Sequence, residues 1–135
     1  MEEIRARIER DRFAAENGIT LVDVQRGAAI ARMEVSARHL NGVGIVQGGA
    51  IFTLADLAFA AAANSHGDVA VAIDVSISFI KAVSAGTLTA EAREEALNPR
   101  LSTCLVRVTD DAGELVALFK GTAYRKRGTP AGRGA

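Results

Sequence analysis

Residues 49–63 are Gly, Ala, Ile, Leu and Phe, broken only by Thr53 and Asp56. A carboxylate in so apolar a helix is at least partly buried, at a cost of several kcal/mol unless it is paired or hydrogen-bonded. Groups held that way have perturbed pKa values and cluster at functional sites. A structural Asp paired with a distant Arg or Lys fits the same pattern. The second chemical element is Gly48-Gly49, where the helix begins. A helix N-terminus offers unpaired N–H groups and a positive dipole end, and glycine lets a ligand come close to that backbone. Such donors suit a carbonyl oxygen that is becoming an oxyanion. Asp56 lies two helical turns beyond Gly49, on the same face and roughly 10 Å along the axis. That is too far for both to share one carbonyl within a single chain. Pairing two helices across a dimer would close the gap.

Residues 2–16 are predicted as one helix, with Ile4, Ile8 and Phe13 recurring among charges and Asn17-Gly18 as its stop. Two strands are expected near 21–25 and 29–35, joined by a turn at Arg26-Gly27. A loop over 39–47 precedes the long apolar helix, which ends near residues 64–67. Ile73, Val75, Ile77 and Phe79 then alternate with Asp74, Ser76 and Ser78, the period of a half-buried strand. Strands over 87–96, with Leu88, Ala90 and Ala92 on one side, 101–109 and 114–125 follow. Asn98-Pro99 and residues 110–113 supply the turns between them. Strands grouped together, rather than alternating with helices, point to an α+β fold with an antiparallel sheet. The long helix is apolar on every side and must be covered on every side. A sheet curled around it, with a second subunit over the remainder, would do that. Residues 1–17 read as an N-terminal helix, 18–126 as the folded domain and 127–135, rich in Gly, Pro, Thr and Ala, as a flexible tail.

The chain has 135 residues, enough for one domain. Sixteen basic and sixteen acidic residues cancel, which removes any general electrostatic case for nucleic acid. Arg125, Lys126, Arg127 and Arg133 crowd the C-terminal end, either as a solvated tail or as a patch for a phosphorylated small molecule. The single Cys104 reads as a small buried hydrophobe of a strand, with no partner for a disulfide or a metal site. His39 and His66 stand alone, without metal-ligand spacing, and read as structural or exposed; Asp74 reads as a polar-face residue. No signal peptide is apparent in the charged N-terminus, and the apolar run falls short of the roughly 20 residues that span a bilayer. The expectation is a cytoplasmic protein with no membrane partner.

Residues 39–56, from His39 through Asn41, Gln47, Gly48 and Gly49 to Asp56, resemble the signature of the PaaI-type (phenylacetate-pathway) thioesterases: Asn, a short loop, His-Gly-Gly, then a helix carrying Asp or Glu. The similarity continues through residues 73–81 and 101–124. It implies a hotdog fold, an antiparallel sheet wrapped around the long helix, with subunits paired into dimers and these into a tetramer. It implies acyl-CoA hydrolysis at the dimer interface, with no cofactor or metal beyond the CoA of the substrate. The Gly49 N–H would polarise the thioester carbonyl, the opposing subunit's Asp56 would serve as general base or nucleophile, and Asn41 and Gln47 would position substrate or water. Gly48, Phe52, Lys81 and Arg100 would contact the acyl-CoA, with Arg100 favoured over Lys81 for the nucleotide phosphates and Arg125 and Lys126 as possible additions to that patch. The aliphatic and aromatic lining expected from Ile51, Phe52 and Phe59 suits an aryl or medium-chain acyl group.

Two departures stand out. Gln47 occupies the usual His position, so it can orient a group but cannot shuttle a proton. Ala72 stands near where some relatives have Ser or Thr, although Ser76 and Ser78 are close by. The rival readings are a hotdog hydratase or dehydratase, against which Gln47 argues, and a non-catalytic acyl-CoA-binding module.

Overall fold

The computed structural model describes residues 1–126. Helices α1 (Glu2–Glu9) and α2 (Arg12–Glu16) lead into strands β1 (Ile19–Gln25) and β2 (Ala28–Glu34). A short 3-10 turn over Ala37–His39 and a loop precede α3 (Gly48–Ala63), and β3 (Val69–Phe79), β4 (Thr87–Leu97), β5 (Leu101–Thr109) and β6 (Leu115–Lys126) complete the chain. The six strands form one antiparallel sheet in the order β1-β2-β4-β5-β6-β3. This is the expected α+β hotdog arrangement, with α3 lying in the concave face.

Alternation decides which side chains meet that helix. Leu88, Ala90 and Ala92 of β4, Cys104, Val106 and Val108 of β5, and Val116 and Phe119 of β6 are all fully buried. From α3 they meet Leu54, Ala55, Ala58, Ala61 and Ala62, equally buried. Phe119 receives Phe52 edge-on at 5.5 Å and Phe59 tilted at 5.6 Å. The β1–β2 hairpin turns at Gly27, whose φ of +72° suits glycine, and its N–H is held by Ser65 Oγ at 2.8 Å.

The N-terminal segment is two helices rather than one. Asp11 adopts an extended conformation and its side chain accepts from the Ala14 N–H at 3.0 Å, starting a new helix. The break changes which face points inward: Ile4, Ile8 and Ala14 are buried, whereas Phe13 is 67% exposed. The first helix is docked by Arg7, which donates to Asn64 Oδ1 at 2.7 Å and the Gly67 carbonyl at 3.2 Å, beyond the end of α3.

The second difference concerns β3. It lies at the edge of the sheet, and a bulge between Ala72 and Asp74 leaves Ile73 without a partner in the β6 register. Ile73 and Phe79 are more than half exposed, and Val71 and Ile80 are exposed as well. The period-two pattern is that of a strand, yet within one chain only Val75 and Ile77 of its apolar set pack against the core, half-buried, while Ile73 and Phe79 are left uncovered. The proposed residue 127–135 tail, with Arg127 and Arg133, lies outside the described residues.

Candidate active site

The start of α3 is built by residues 39–49. His39 is buried, its Nδ1 accepting from the Ser36 N–H at 3.0 Å and its Nε2 donating to the Asn17 carbonyl at 2.7 Å. From that anchor the chain makes a tight loop. Asn41 Oδ1 accepts from the N–H groups of Val43 at 3.0 Å and Ile45 at 3.3 Å, and Gly44 takes a φ of +80°. The Gln47 N–H returns to the His39 carbonyl at 2.7 Å. The Asn41 carbonyl oxygen therefore shapes its own loop, leaving the amide N–H₂ for other partners.

At the helix N-terminus Gln47 is the cap. Its Oε1 accepts from the Gly49 N–H at 2.5 Å. The Thr53 hydroxyl donates to the Gly49 carbonyl at 2.7 Å. The Gly48 N–H has no acceptor among the described residues. The Gly49 N–H, expected from the resemblance to polarise the carbonyl, is thus held by the side chain two residues earlier, while the Gly48 N–H, expected only as a substrate contact, is open.

Two clefts flank this point. One, of about 340 Å³, is lined by Asn41, Gly48, Ile51, Phe79, Ile80 and Lys81, among others. The larger, of about 530 Å³, is lined by Phe13, Arg38, Gln47, Gly49, Phe52 and Thr53, with Asn17, His39, Leu40 and Ala50. Asp56 lines neither cleft. It lies on the part-exposed stripe of α3 with Thr53 and Ala60. Its carboxylate forms no hydrogen bond or ion pair among the described residues, and burial, with the negative charge of Asp11 as a second cause, raises its pKa.

The structure does not bring the two proposed CoA contacts together within one chain. Lys81 follows the C-terminal end of β3, where Nζ pairs with Asp110 at 2.6 Å and Glu114 at 2.5 Å. Arg100 lies at the opposite end of that strand, in the β4–β5 turn, donating to the Tyr124 hydroxyl at 3.0 Å. Arg125 is beside it, tied to the Asn98 carbonyl at 2.8 Å and Asp68 at 3.4 Å. With about 3.3 Å per residue, the strand separates Lys81 from that cluster by some 30 Å or more.

The remaining polar groups are structural. Glu94 accepts from the Ser102 hydroxyl and bonds His66 Nε2 at 2.9 Å, tying the loop after α3 to β4 and β5. Burial pushes the Cys104 thiol up to about 11, which removes it as a nucleophile at neutral pH. Asp74 is exposed. Ala72, also exposed, offers no hydroxyl beside the helix. Sequence reasoning did not place Phe13 and Arg38 in the cleft beside the helix start, nor the charge of Asp11 near Asp56; the signal for the first was Asp11 itself, a helix-starting residue inside the predicted helix.

The sequence pattern of the thioesterase superfamily matches residues 43–117, which include the Gly48-Gly49 turn, α3 and Asp56. The chain belongs to that superfamily. Acyl-coenzyme A thioesterase PaaI of Escherichia coli is 38% identical, the match covering 94% of this chain and 91% of the relative. The solved structure of E. coli PaaI, from the phenylacetic acid degradation operon, superposes with a TM-score of 0.88 at 34% identity, covering 92% of this chain and 91% of that one. A mutant of the phenylacetic acid degradation protein PaaI from Thermus thermophilus gives 0.82 at 38% identity, covering 85% and 99%. A Streptococcus mutans protein solved bound to acetyl CoA gives 0.77 at 28% identity, covering 80% and 88%. This superfamily member is accordingly a PaaI-like thioester hydrolase with the hotdog fold. Among its described residues no helix is long and apolar enough to cross a membrane.

Proposed function

We propose that the protein hydrolyses aryl-acyl or medium-chain acyl-CoA to the free acid and CoA, at a site completed by a second copy of the chain. The observation that carries this reading is the unpaired, part-buried Asp56 on the same helix face as the glycine donors, yet outside both clefts that those donors line. One protomer has the donors without the carboxylate beside them. Two copies joined β3 to β3 about a twofold axis would cover the exposed edge and lay their α3 helices antiparallel on one face of a continuous sheet. Helices crossing midway between Gly49 and Asp56 would set each pair of glycines opposite the partner subunit's Asp56.

In that arrangement the thioester oxygen lies at the N-terminus of α3. The open Gly48 N–H donates to it, and Gly49 contributes if Gln47 releases its hold. Asp56 removes a proton from water as the water oxygen bonds the carbonyl carbon. The tetrahedral oxyanion is held by the helix donors. As the carbonyl re-forms, the C–S bond breaks and the proton passes from Asp56 to the departing CoA thiolate. Attack by Asp56 itself, through a mixed anhydride later opened by water, ends in the same products. Asn41, through its free amide group, and Gln47 orient the substrate or the water. The balance needs no cofactor.

The antiparallel β3 pair also accounts for the split basic residues. It would bring Lys81 of one subunit toward the strand end that carries Arg100 and Arg125 of the other. Lys81 is already neutralised by two carboxylates, so Arg100 is the stronger phosphate contact. The Streptococcus mutans relative bound to acetyl CoA supports a CoA ester as the substrate.

Release of free thiol from aryl- and aliphatic-CoA esters tests the assignment. Asp56→Asn is expected to lower turnover by a hundredfold or more with folding and oligomeric state unchanged. Saturable binding of a CoA ester by a wild type that releases no thiol would instead establish the non-catalytic acyl-CoA-binding reading.

A further inference from the structure

A thioester has two arms, and two clefts meet at the N-terminus of α3. The smaller runs from Gly48 and Asn41 out to Lys81. The larger reaches α2 and is lined by two aromatic rings, Phe52, packed at a steep angle on Phe119, and Phe13. We propose that the larger cleft receives the acyl group and that Phe13 is a specificity-determining residue, forming the outer wall against which an acyl chain or ring packs. The inference rests on the thioesterase reading above and deepens it.

An isolated exposed phenylalanine needs no explanation. Phe13 differs in where its backbone is held. The break at Asp11 turns Ala14 into the core at 1% exposure and sends Phe13 outward at 67%. The end of α2 is then tied at three points. Arg38 Nη1 donates to the Glu16 carbonyl at 2.6 Å, His39 Nε2 donates to the Asn17 carbonyl at 2.7 Å, and Asn17 Nδ2 donates to the Phe13 carbonyl at 2.9 Å. Arg38 and His39 belong to the segment that leads into the Asn41–Gln47 loop, so the ring and the carbonyl donors are carried on one connected frame. The wall is in place before substrate arrives, and an acyl group laid on it removes apolar surface from water without reordering the backbone. Short acyl groups end before they reach it. Longer or aromatic ones are retained by it.

The experiment measures kcat/KM by thiol release from acetyl-CoA, hexanoyl-CoA and benzoyl-CoA for wild type, Phe13→Ala and Phe13→Leu, with circular dichroism and size-exclusion profiles as controls. The larger acyl groups are expected to lose roughly tenfold or more relative to acetyl in Phe13→Ala, the change expected from losing much of one ring's apolar contact. Phe13→Leu should fall between the two and carries the comparison if the alanine variant does not fold. An equal change on all three esters, or none, overturns the assignment of Phe13 while wild-type turnover leaves the thioesterase reading standing. A wild type silent on every ester overturns both.

Discussion

At the scale of single residues, the proposed site turns on Asp56, a carboxylate without a partner among the described residues. Burial raises the pKa of Asp56 and the Asp11 charge raises it further. A general base works when deprotonated, so kcat/KM should rise with pH along a limb whose midpoint lies above the ordinary Asp value near 3.8. Asp11→Asn removes that charge while retaining a side chain able to cap α2. The limb should then move to lower pH, with a pH–rate profile as the measurement; an unmoved limb would assign the limb to another group. The sign for stability is the reverse of the usual carboxylate case. With a folded-state value above the unfolded one, Asp56 binds its proton more tightly when folded. Its contribution is therefore largest below the unfolded value and is lost as pH rises through the raised one. Gln47 illustrates the limit of reading residue types alone. The sequence shows that it cannot titrate, but only the structure shows its carbonyl on the Gly49 N–H. That bond is local, yet which way an amide side chain turns is set by the surrounding loop.

At the scale of elements, much of the fold was legible because burial and periodicity agree. The apolar run gave α3, and Leu88, Ala90 and Ala92 gave the inner face of β4, all confirmed as buried. Asp56, the Gly48-Gly49 turn and Asn41 are grouped by resemblance alone; within one chain Asp56 lines neither cleft beside them. Two elements misled for physical reasons. Helical spacing ran on past Asp11, although a side chain that caps the backbone can restart a helix at a new angle, and Phe13 was thereby assigned to the wrong face. The alternation in β3 was read correctly as a strand, but hydropathy cannot tell a side chain covered by its own chain from one awaiting another. The bulge at Ile73 also shifted the phase. A further constraint was invisible from sequence. A Cβ placed on Gly121 of β6 would sit 2.8–3.0 Å from three ring carbons of Phe59, and that ring is buried against Phe119. Gly121→Ala should therefore cost about 1–3 kcal/mol by overpacking, read from the midpoint of chemical denaturation. A midpoint equal to wild type would show that Phe59 can move aside.

At the scale of the whole molecule, the proposed dimer would cover the exposed apolar edge and bring the separated candidate residues together. Val71→Lys with Ile73→Lys introduces charge on the exposed edge of β3, which is expected to shift the protein to monomer by light scattering and to reduce thiol release in parallel, with the circular dichroism spectrum unchanged. A monomer with wild-type turnover would refute a site shared between subunits. The face that α3 presents to the sheet has another consequence. At Ala55, Ala58, Ala61 and Ala62 it carries the smallest side chain that still favours a helix, each fully buried. Helix and sheet are already close there, and any larger residue would lift the helix and carry Asp56 with it. On the proposed reading, acyl preference would then change more readily through α2 and the loop before α3, where Phe13 and Val43 are exposed, than through the alanine seam that sets the height of Asp56 above the sheet.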